Sequence, residues 1–382
     1  MIEMRLYMRK SGINMEQVKK ENRSIVIKCI NNNGPLSRKD IAAHTGLTPA
    51  SVTQITTKLI KEGVLSELGS VPDSSGLAGR KKVLLDIDPN MGYICAINIE
   101  SEMTTLAICD MKGCLVHDKK NNDFIKQLKT NCAEDFLITV ADECKVMIHK
   151  LPASIRKRIK CISVSVPGIV DKESGTSVHA YGIWDREVPL KRILEKELNM
   201  NIPIILENNV DAFAMAEILF GAGRIYDSLL IIKWGPGVGS TIIIDSKVYQ
   251  GRHGKTAELG HFIVEKNGRK CSCGRRGCLE TYLSASALSK SSPEEYDAAI
   301  DLLARSIVNT CTIIAPNRVI LSGKMFADKK LRKQLIDACS SYDPSYDENR
   351  LIYTTLSGKE NYIGPASVFI ASALYSLCLQ ES

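Results

Sequence analysis

The stretch Ala257–Glu280, AELGHFIVEKNGRKCSCGRRGCLE, sets the terms for reading the whole chain. Cys271, Cys273 and Cys278 fall within eight residues, and His261 lies ten residues before the first of them. One imidazole and three thiolates are the soft donors, in the right number, for tetrahedral zinc. Four protein donors close the coordination shell and leave no open position at which water could be activated. Zinc bound here is therefore expected to be structural and not catalytic. Gly274 and Gly277 give the loop the freedom to turn sharply enough for three sulfurs to converge. The other cysteines of the 13, such as Cys29, Cys95, Cys109, Cys161 and Cys311, stand singly and read as buried reduced thiols.

Outward from this loop the chain alternates short apolar strands with helices. From Leu84, VLLDIDP, YICAINIE, TTLAICD and GCLVHD read as an antiparallel meander. A helix over 131–150 follows, then a buried strand CISVSVPGIVD, a helix near Leu190–Leu198, the strand IPIILENN and the helix VDAFAMAEILFG. IIKWGPGVGSTIIID and KVYQGR form a second meander, and RVILSG (318–323) is a buried strand in a mostly helical C-terminal part. A meander plus crossover helices, twice over, predicts two α/β lobes around a cleft.

The N-terminal part reads differently. Residues 16–32 place Val18, Ile25, Val26, Cys29 and Ile30 at near-helical spacing before Asn-Asn-Gly-Pro breaks the chain. Ser37, with Asp40 three residues on, caps a short helix ending at Gly46. Thr48-Pro49 opens the next helix, TPASVTQITTKLIKEG, with Val52, Ile55, Leu59 and Ile60 inward. Helix, short turn with glycine, helix is the helix-turn-helix pattern. The second helix would expose Ser51, Thr53, Gln54, Thr57 and Lys58, side chains suited to base edges and phosphates in a major groove. VLSELGS and KKVLLDID read as two strands of a wing around VPDSSGLAGR, so the 82–88 stretch is claimed by both the wing and the meander. Arg80, Lys81 and Lys82 stand where a wing could meet phosphate or minor groove. Residues 1–82 hold 14 Lys/Arg and 7 Asp/Glu, leaving 36 of each beyond them, so the net +7 lies in this part. A basic module on a neutral body is the footprint of a nucleic-acid reader.

No apolar run reaches the length of a membrane span, and the N-terminal residues lack the continuous apolar core of a secretory signal. The expectation is a cytoplasmic protein with no membrane partner.

PGIV (167–170), ENN followed by a helix ending in AE (207–217), GPGVG (235–239), AELGH (257–261) and CSCGRRGCLE (271–280) together resemble the motif series of the ROK family. The AELGH and CxCGxxGCLE pair is specific, and the likeness runs from about Leu84 to the C-terminus. The resemblance implies an actin/hexokinase-like fold in a family of sugar kinases and repressors. With an N-terminal winged helix-turn-helix, the architecture over the full chain resembles the NagC/XylR-type regulators of that family. The fold class is thus α/β: a winged helix-turn-helix over 1–85, a first lobe over 86–205 completed by a C-terminal helix (365–382), and a second lobe over 206–364 that carries the zinc. By motif position, the family's sugar contacts fall on Asn208, Glu258, His261 and Glu280, with Asn209 beside them. His261 would bind zinc on one face and sugar on the other.

Two functions fit that family, an active sugar kinase and a sugar-responsive repressor. Kinase members carry Glu-Asn-Asp, with the aspartate as base; here the residues are Glu207, Asn208 and Asn209, and an amide cannot accept the proton. Asp211 is too far along the following helix to substitute. The family's glycine-rich phosphate turn corresponds to Asn98–Thr104, which has no glycine and carries Glu100 and Glu102, charges that repel phosphate. Gly235, Gly237 and Gly239 remain, and are read as serving their turn. HAYGIWDREVPL (179–190) matches a sugar-contacting loop but lacks the family's asparagine before the tryptophan. The reading is a non-catalytic, sugar-responsive regulator, more a repressor than an activator. Its partners would be double-stranded operator DNA, a sugar or sugar derivative, and further copies of itself, as a homodimer or larger homo-oligomer.

Overall fold

The computed structural model describes residues 15–71, 82–121, 132–180, 182–251 and 256–379. The chain divides into two compact units, Met1–Met91 with Ala371–Ser382, and Gly92–Ile370.

In the N-terminal unit, α1 (Met15–Asn33), α2 (Arg38–Thr45) and α3 (Pro49–Lys61) are followed by β2 (Leu65–Val71) and β3 (Lys82–Ile87). A two-residue strand, β1 (Leu36–Ser37), pairs with β3, giving the sheet order β1-β3-β2. Local chemistry sets the helix ends. Ser37 and Asp40 form a reciprocal capping box at the start of α2, and Gly46 ends it in the left-handed region at φ 70°. Thr48 caps α3 through the Ser51 N–H, with Pro49 in the first turn. Val26, Ile27, Ile30, Ile41, Val52, Leu59, Leu85 and Ile87 form the core. The phase of α1 differs from the expectation at one position. Ile27 is buried and Ile25 is 44% exposed, because Val26, Ile27 and Ile30 share the inward arc.

The stretch 82–87 belongs to the wing alone. Leu85 pairs with Leu36, and Ile87 with Leu65, so its ladder is spent within the N-terminal unit and the meander begins at the next strand. The wing tip, with Arg80, lies outside the described residues.

The larger unit contains two five-stranded sheets of one topology. In the first, β4 (Tyr93–Ile99), β5 (Thr104–Asp110) and β6 (Leu115–Asn121) form an antiparallel meander. β7 (Ile159–Val166) and β10 (Ile204–Asn208) add in parallel, giving β10-β7-β4-β5-β6. In the second, β11 (Leu229–Trp234), β12 (Val238–Ile244) and β13 (Lys247–Val248) are antiparallel. β14 (Arg318–Ser322) and β15 (Leu351–Tyr353) add in parallel. The parallel strands need helical crossovers, which is why each meander is followed by helices. The predicted strand CISVSVPGIVD is two strands. Pro167 lacks an N–H and Gly168 adopts φ 87°, so the ladder stops at Val166, and Ile169–Asp171 (β8) pairs instead with Thr176–His179 (β9).

Each sheet has its own core. On the first, α4 (Ala133–Lys150) buries Phe136, Leu137, Val140, Ala141, Cys144, Met147 and Ile148, one continuous helical face, alongside α5 (Leu190–Leu198). On the second, Trp234 stacks edge-on against Phe326 at 5.3 Å, and its Nε1–H donates to the Leu283 carbonyl at 2.8 Å. Between the two runs α6 (Asn209–Phe220).

Ser37→Ala removes the hydroxyl that accepts from the Asp40 N–H and donates to the Asp40 carboxylate, and leaves only the bond from the residue-37 N–H to Asp40. It should cost about 1 kcal/mol, seen as roughly fivefold faster native-state hydrogen exchange of the α2 amides; unchanged exchange would show that the cap does not hold this helix.

Candidate functional site

Four strands of the larger unit end at one cleft. Glu100 follows the end of β4, Pro167 and Gly168 follow β7, Asn208 closes β10, and Gly235 follows β11. The carboxyl ends of parallel strands, where side chains leave the sheet without neighbours, are where α/β folds place ligands. The cleft encloses about 340 Å³, and its walls include Asn208, Asn209, Lys233, Glu258, His261 and Glu280.

One end of the cleft abuts the cysteine loop. The donor atoms of His261, Cys271, Cys273 and Cys278 all lie within 4.8 Å of one another. Cys271 Sγ is 3.6 Å from His261 Nδ1, and Cys273 Sγ is 3.6 Å from Cys278 Sγ. A tetrahedron with metal–sulfur bonds of about 2.3 Å has edges near these lengths, so the donor set fits a tetrahedral metal in number, softness and spacing. Gly274 and Gly277 adopt φ 87° and 76°, and a Cβ on Gly277 would stand 1.8 Å from the Glu265 carbonyl oxygen. The loop closes only with glycine there. Burial opposes ionisation of Cys273, but the backbone N–H and guanidinium of Arg275, with the neighbouring thiols, bring it down to about 7. Burial pushes Cys278 up to about 12. Burial, then the charges of Arg275 and His179, lower His261, which favours the neutral imidazole that a metal requires.

His261 is buried and two-faced. Nδ1 points at Cys271, while Nε2 lies 3.9 Å from the Glu258 carboxylate in the cleft. Ser240 holds this turn: its hydroxyl donates to the Ala257 carbonyl and accepts from the Leu259 N–H at 3.0 Å. Burial raises Glu280, only partly offset by a backbone N–H from Val238.

The other end of the cleft is closed by charge. Glu100 accepts from Lys233 Nζ in an ion pair, and from Asn209 Nδ2 at 3.3 Å. Burial alone would raise the Glu100 carboxyl, but the charge and hydrogen bond of Lys233, with bonds from Asn98 and Asn209, hold it below the usual carboxylate range. Asn208 is also committed. Its Oδ1 accepts from the Val210 and Asp211 N–H groups at the head of α6, and its Nδ2 donates to Gly168 O at 2.7 Å. Asp211 accepts from Thr241 at 2.7 Å and Gln250 at 3.3 Å and is not among the residues lining the cleft. Gly235, Gly237 and Gly239 adopt no left-handed φ; a Cβ on Gly239 would meet Val210 Cγ2 at 2.6 Å, so close packing accounts for that glycine. In the 179–190 loop, Trp184 is buried, donating to Ser177 Oγ at 3.0 Å, while Gly182 reaches the cleft.

The sequence reading had missed Lys233, Ser240, and the Lys172–Glu207 pair at 2.6 Å with its link from Lys172 to Gln250 at 2.7 Å. A signal for Lys233 was present: a lone lysine ending the apolar run LLIIK.

In the N-terminal unit, Thr53, Gln54, Thr57 and Lys58 are exposed on α3, and Ser51 is half-buried. Thr56, on the inner face, accepts from Arg38 Nε at 3.1 Å; Arg38 also reaches Glu67 on β2 at 3.2 Å, fixing α3 against α2 and the wing strand.

Residues 94–300 match the model of the ROK family, and residues 21–66 match that of winged helix-turn-helix DNA-binding domains. The chain belongs to the ROK family. The xylose repressor of Bacillus subtilis (strain 168) is 32% identical over 274 residues, 72% of this chain and 68% of that protein. The DNA-binding transcriptional repressor Mlc of Escherichia coli K12 is 28% identical over 276 residues, 72% of this chain and 65% of that protein. Among solved structures, a ROK-family transcriptional regulator described as a homologue of E. coli Mlc superposes with a TM-score of 0.70, covering 94% of this chain and 98% of its own, at 24% identity. A ROK glucokinase from Streptomyces griseus, with glucose and AMPPNP, superposes at 0.60, covering 72% and 99%, at 22% identity. These last two identities speak to the fold alone.

The Glu207 carboxyl is pushed up to about 7, chiefly by burial and also by Asp211, against the pull of Lys172. A carboxyl raised on folding keeps a proton that the unfolded chain has already released. Its contribution to stability is therefore present at low pH and is lost as pH rises from the ordinary carboxylate range through about 7. Between those limits Glu207→Gln should flatten the fall in urea-unfolding free energy, by an amount on the order of 3 kcal/mol. A wild-type slope retained in the variant would refute the assignment.

Proposed function

We propose that this ROK protein is a sugar-responsive transcriptional repressor whose cleft binds a carbohydrate without phosphorylating it. The observation that carries the reading is the joining of a capped, polar-faced α3 to a cleft in which Asn209 has no proton-accepting carboxylate to offer and is bonded to Glu100. Without a base near the attacking hydroxyl, the fold can bind but not transfer. The names of the relatives, repressors of xylose use among them, agree with this, and xylose is the first sugar to test. The domain division expected from sequence, 1–85, 86–205 with 365–382, and 206–364, is the frame of the proposal.

Ser51, Thr53, Gln54, Thr57 and Lys58 read the operator's major groove, and Arg80 on the wing contacts its backbone. The protein acts in the cytoplasm as a dimer or higher homo-oligomer on an inverted repeat, the arrangement that a two-fold axis imposes on paired reading heads. Glu258, Glu280 and the cleft face of His261 accept from sugar hydroxyls, since carboxylates take strong hydrogen bonds from O–H donors. Asn208 and Asn209 complete the wall. Zinc held by His261, Cys271, Cys273 and Cys278 is structural and supplies a fixed tetrahedral anchor. Sugar then shifts operator affinity through its unequal affinity for two arrangements of the protein; a coupling of about 1–3 kcal/mol gives a roughly 5- to 150-fold response.

Titration of operator-bound protein with xylose and other monosaccharides should weaken DNA binding within that range. Steady ATP turnover with any of them would overturn the non-catalytic reading. Gln54→Ala should lower the preference for operator over random DNA, at a cost of about 1–3 kcal/mol, with little change in the salt slope; equal loss on both DNAs would remove Gln54 from base reading. Cys271→Ser should release the metal and lower the melting temperature together, and a variant that melts normally with its metal retained would refute the four-ligand site.

A further inference from the structure

The two ends of the cleft carry opposite chemistry, and their balance bears on what can enter. Among the described residues, three carboxylates line it, Glu100, Glu258 and Glu280, against a single ammonium, Lys233. Lys233 is only 12% exposed in its side chain and is already paired with Glu100. We infer that the Glu100–Lys233 pair makes the cleft select an uncharged carbohydrate over its phosphate ester. This rests on the carbohydrate reading of the cleft and names the charge class of its ligand.

A phosphate group entering the cleft must take Lys233 from Glu100 or do without it. The first leaves the partly buried Glu100 carboxylate unpaired; the second sets a dianion against Glu258 and Glu280 with the lysine's charge already neutralised by Glu100. A neutral polyol forces neither exchange, because its hydroxyls donate to Glu258 and Glu280 and leave the ion pair intact. Lys233 Nζ is held by Glu100, which Asn209 also holds at 3.3 Å, so the ammonium is kept from acting as a phosphate ligand. Burial disfavours the Glu100 carboxylate, but the charge and hydrogen bond of Lys233, with the bonds from Asn98 and Asn209, together outweigh it and keep the pair ionised.

The test is calorimetry on the metal-loaded full chain with D-xylose, D-glucose and N-acetyl-D-glucosamine, each beside its 5- or 6-phosphate. Every parent sugar that binds should do so at least about tenfold more tightly than its ester. Glu100→Gln, which frees Lys233, should shrink that ratio by about tenfold or reverse it, and Glu100→Gln combined with Lys233→Met should lose the gain. An ester that binds the wild-type chain as tightly as its parent overturns the inference without recourse to any variant. So does a folded Glu100→Gln protein with an unchanged ratio. Silence toward the whole panel would instead overturn the carbohydrate reading beneath it, which keeps the two failures apart.

Discussion

The convergence of His261 with three cysteines is the constraint on which the ligand end of the cleft depends. The loop from Phe262 to Leu279 has little regular structure of its own, only isolated bridges such as Ile263 to Cys278 and Lys270 to Arg276. In the conformation it adopts, its three cysteines and His261 bring four donors within 4.8 Å of one another. That conformation sets the imidazole so that one nitrogen meets sulfur and the other faces Glu258, and it delivers Glu280 to the same wall. A metal held by these four donors would do for this loop what a hydrophobic core does for the sheets. It would remove conformational freedom in advance, so that ligand binding need not bear that entropy.

The opposite end of the cleft depends on a different compensation. A carboxylate and an ammonium that are largely withdrawn from water are each costly to desolvate, and their pairing repays that cost only with good geometry and further hydrogen bonds. Glu100 and Lys233 satisfy both conditions with the help of Asn209. The same three residues explain why an α/β fold shared with kinases can be catalytically silent. The amide of Asn209 contributes a donor to the ion pair, where a carboxylate at that position would repel Glu100.

The helix ends and the paired sheets were legible because they follow local rules. Ser37 with Asp40, Thr48 with Pro49, and apolar runs bounded by turns specify structure within a few residues. The cluster of four side chains that could hold a metal was legible for the same reason, since three of its members lie in one short loop. The pairing of Glu100 with Lys233 was not, because the partners are 133 residues apart and meet only when two sheets are assembled. Sequence made Glu100 an isolated repulsive charge; structure makes it half of a pair. The stretch 82–87 could serve wing or meander by its apolar pattern, and only the register of Leu85 on Leu36 decided between them. Asn208 shows a third kind of gap. Its motif position suggested ligand contact, yet most of its hydrogen-bonding capacity is spent capping α6 and gripping Gly168.

A cleft that is to act as a sensor must touch elements able to move against one another, because a ligand held by one body alone favours no arrangement over another. The lining here comes from both sheets of the larger unit. Glu100, Asn208 and Asn209 issue from strands of the first sheet, whereas Lys233, Glu258, His261 and Glu280 issue from the second sheet and the loop beside it. A carbohydrate spanning them has a different contact set in each arrangement of the sheets, and that difference is the only free energy it can transmit. The Glu100–Lys233 pair spans the same gap without a ligand. An arrangement that brings Glu100 and Lys233 together is favoured by this pair over one that parts them, and a ligand can shift such a balance only through its differential affinity for the two.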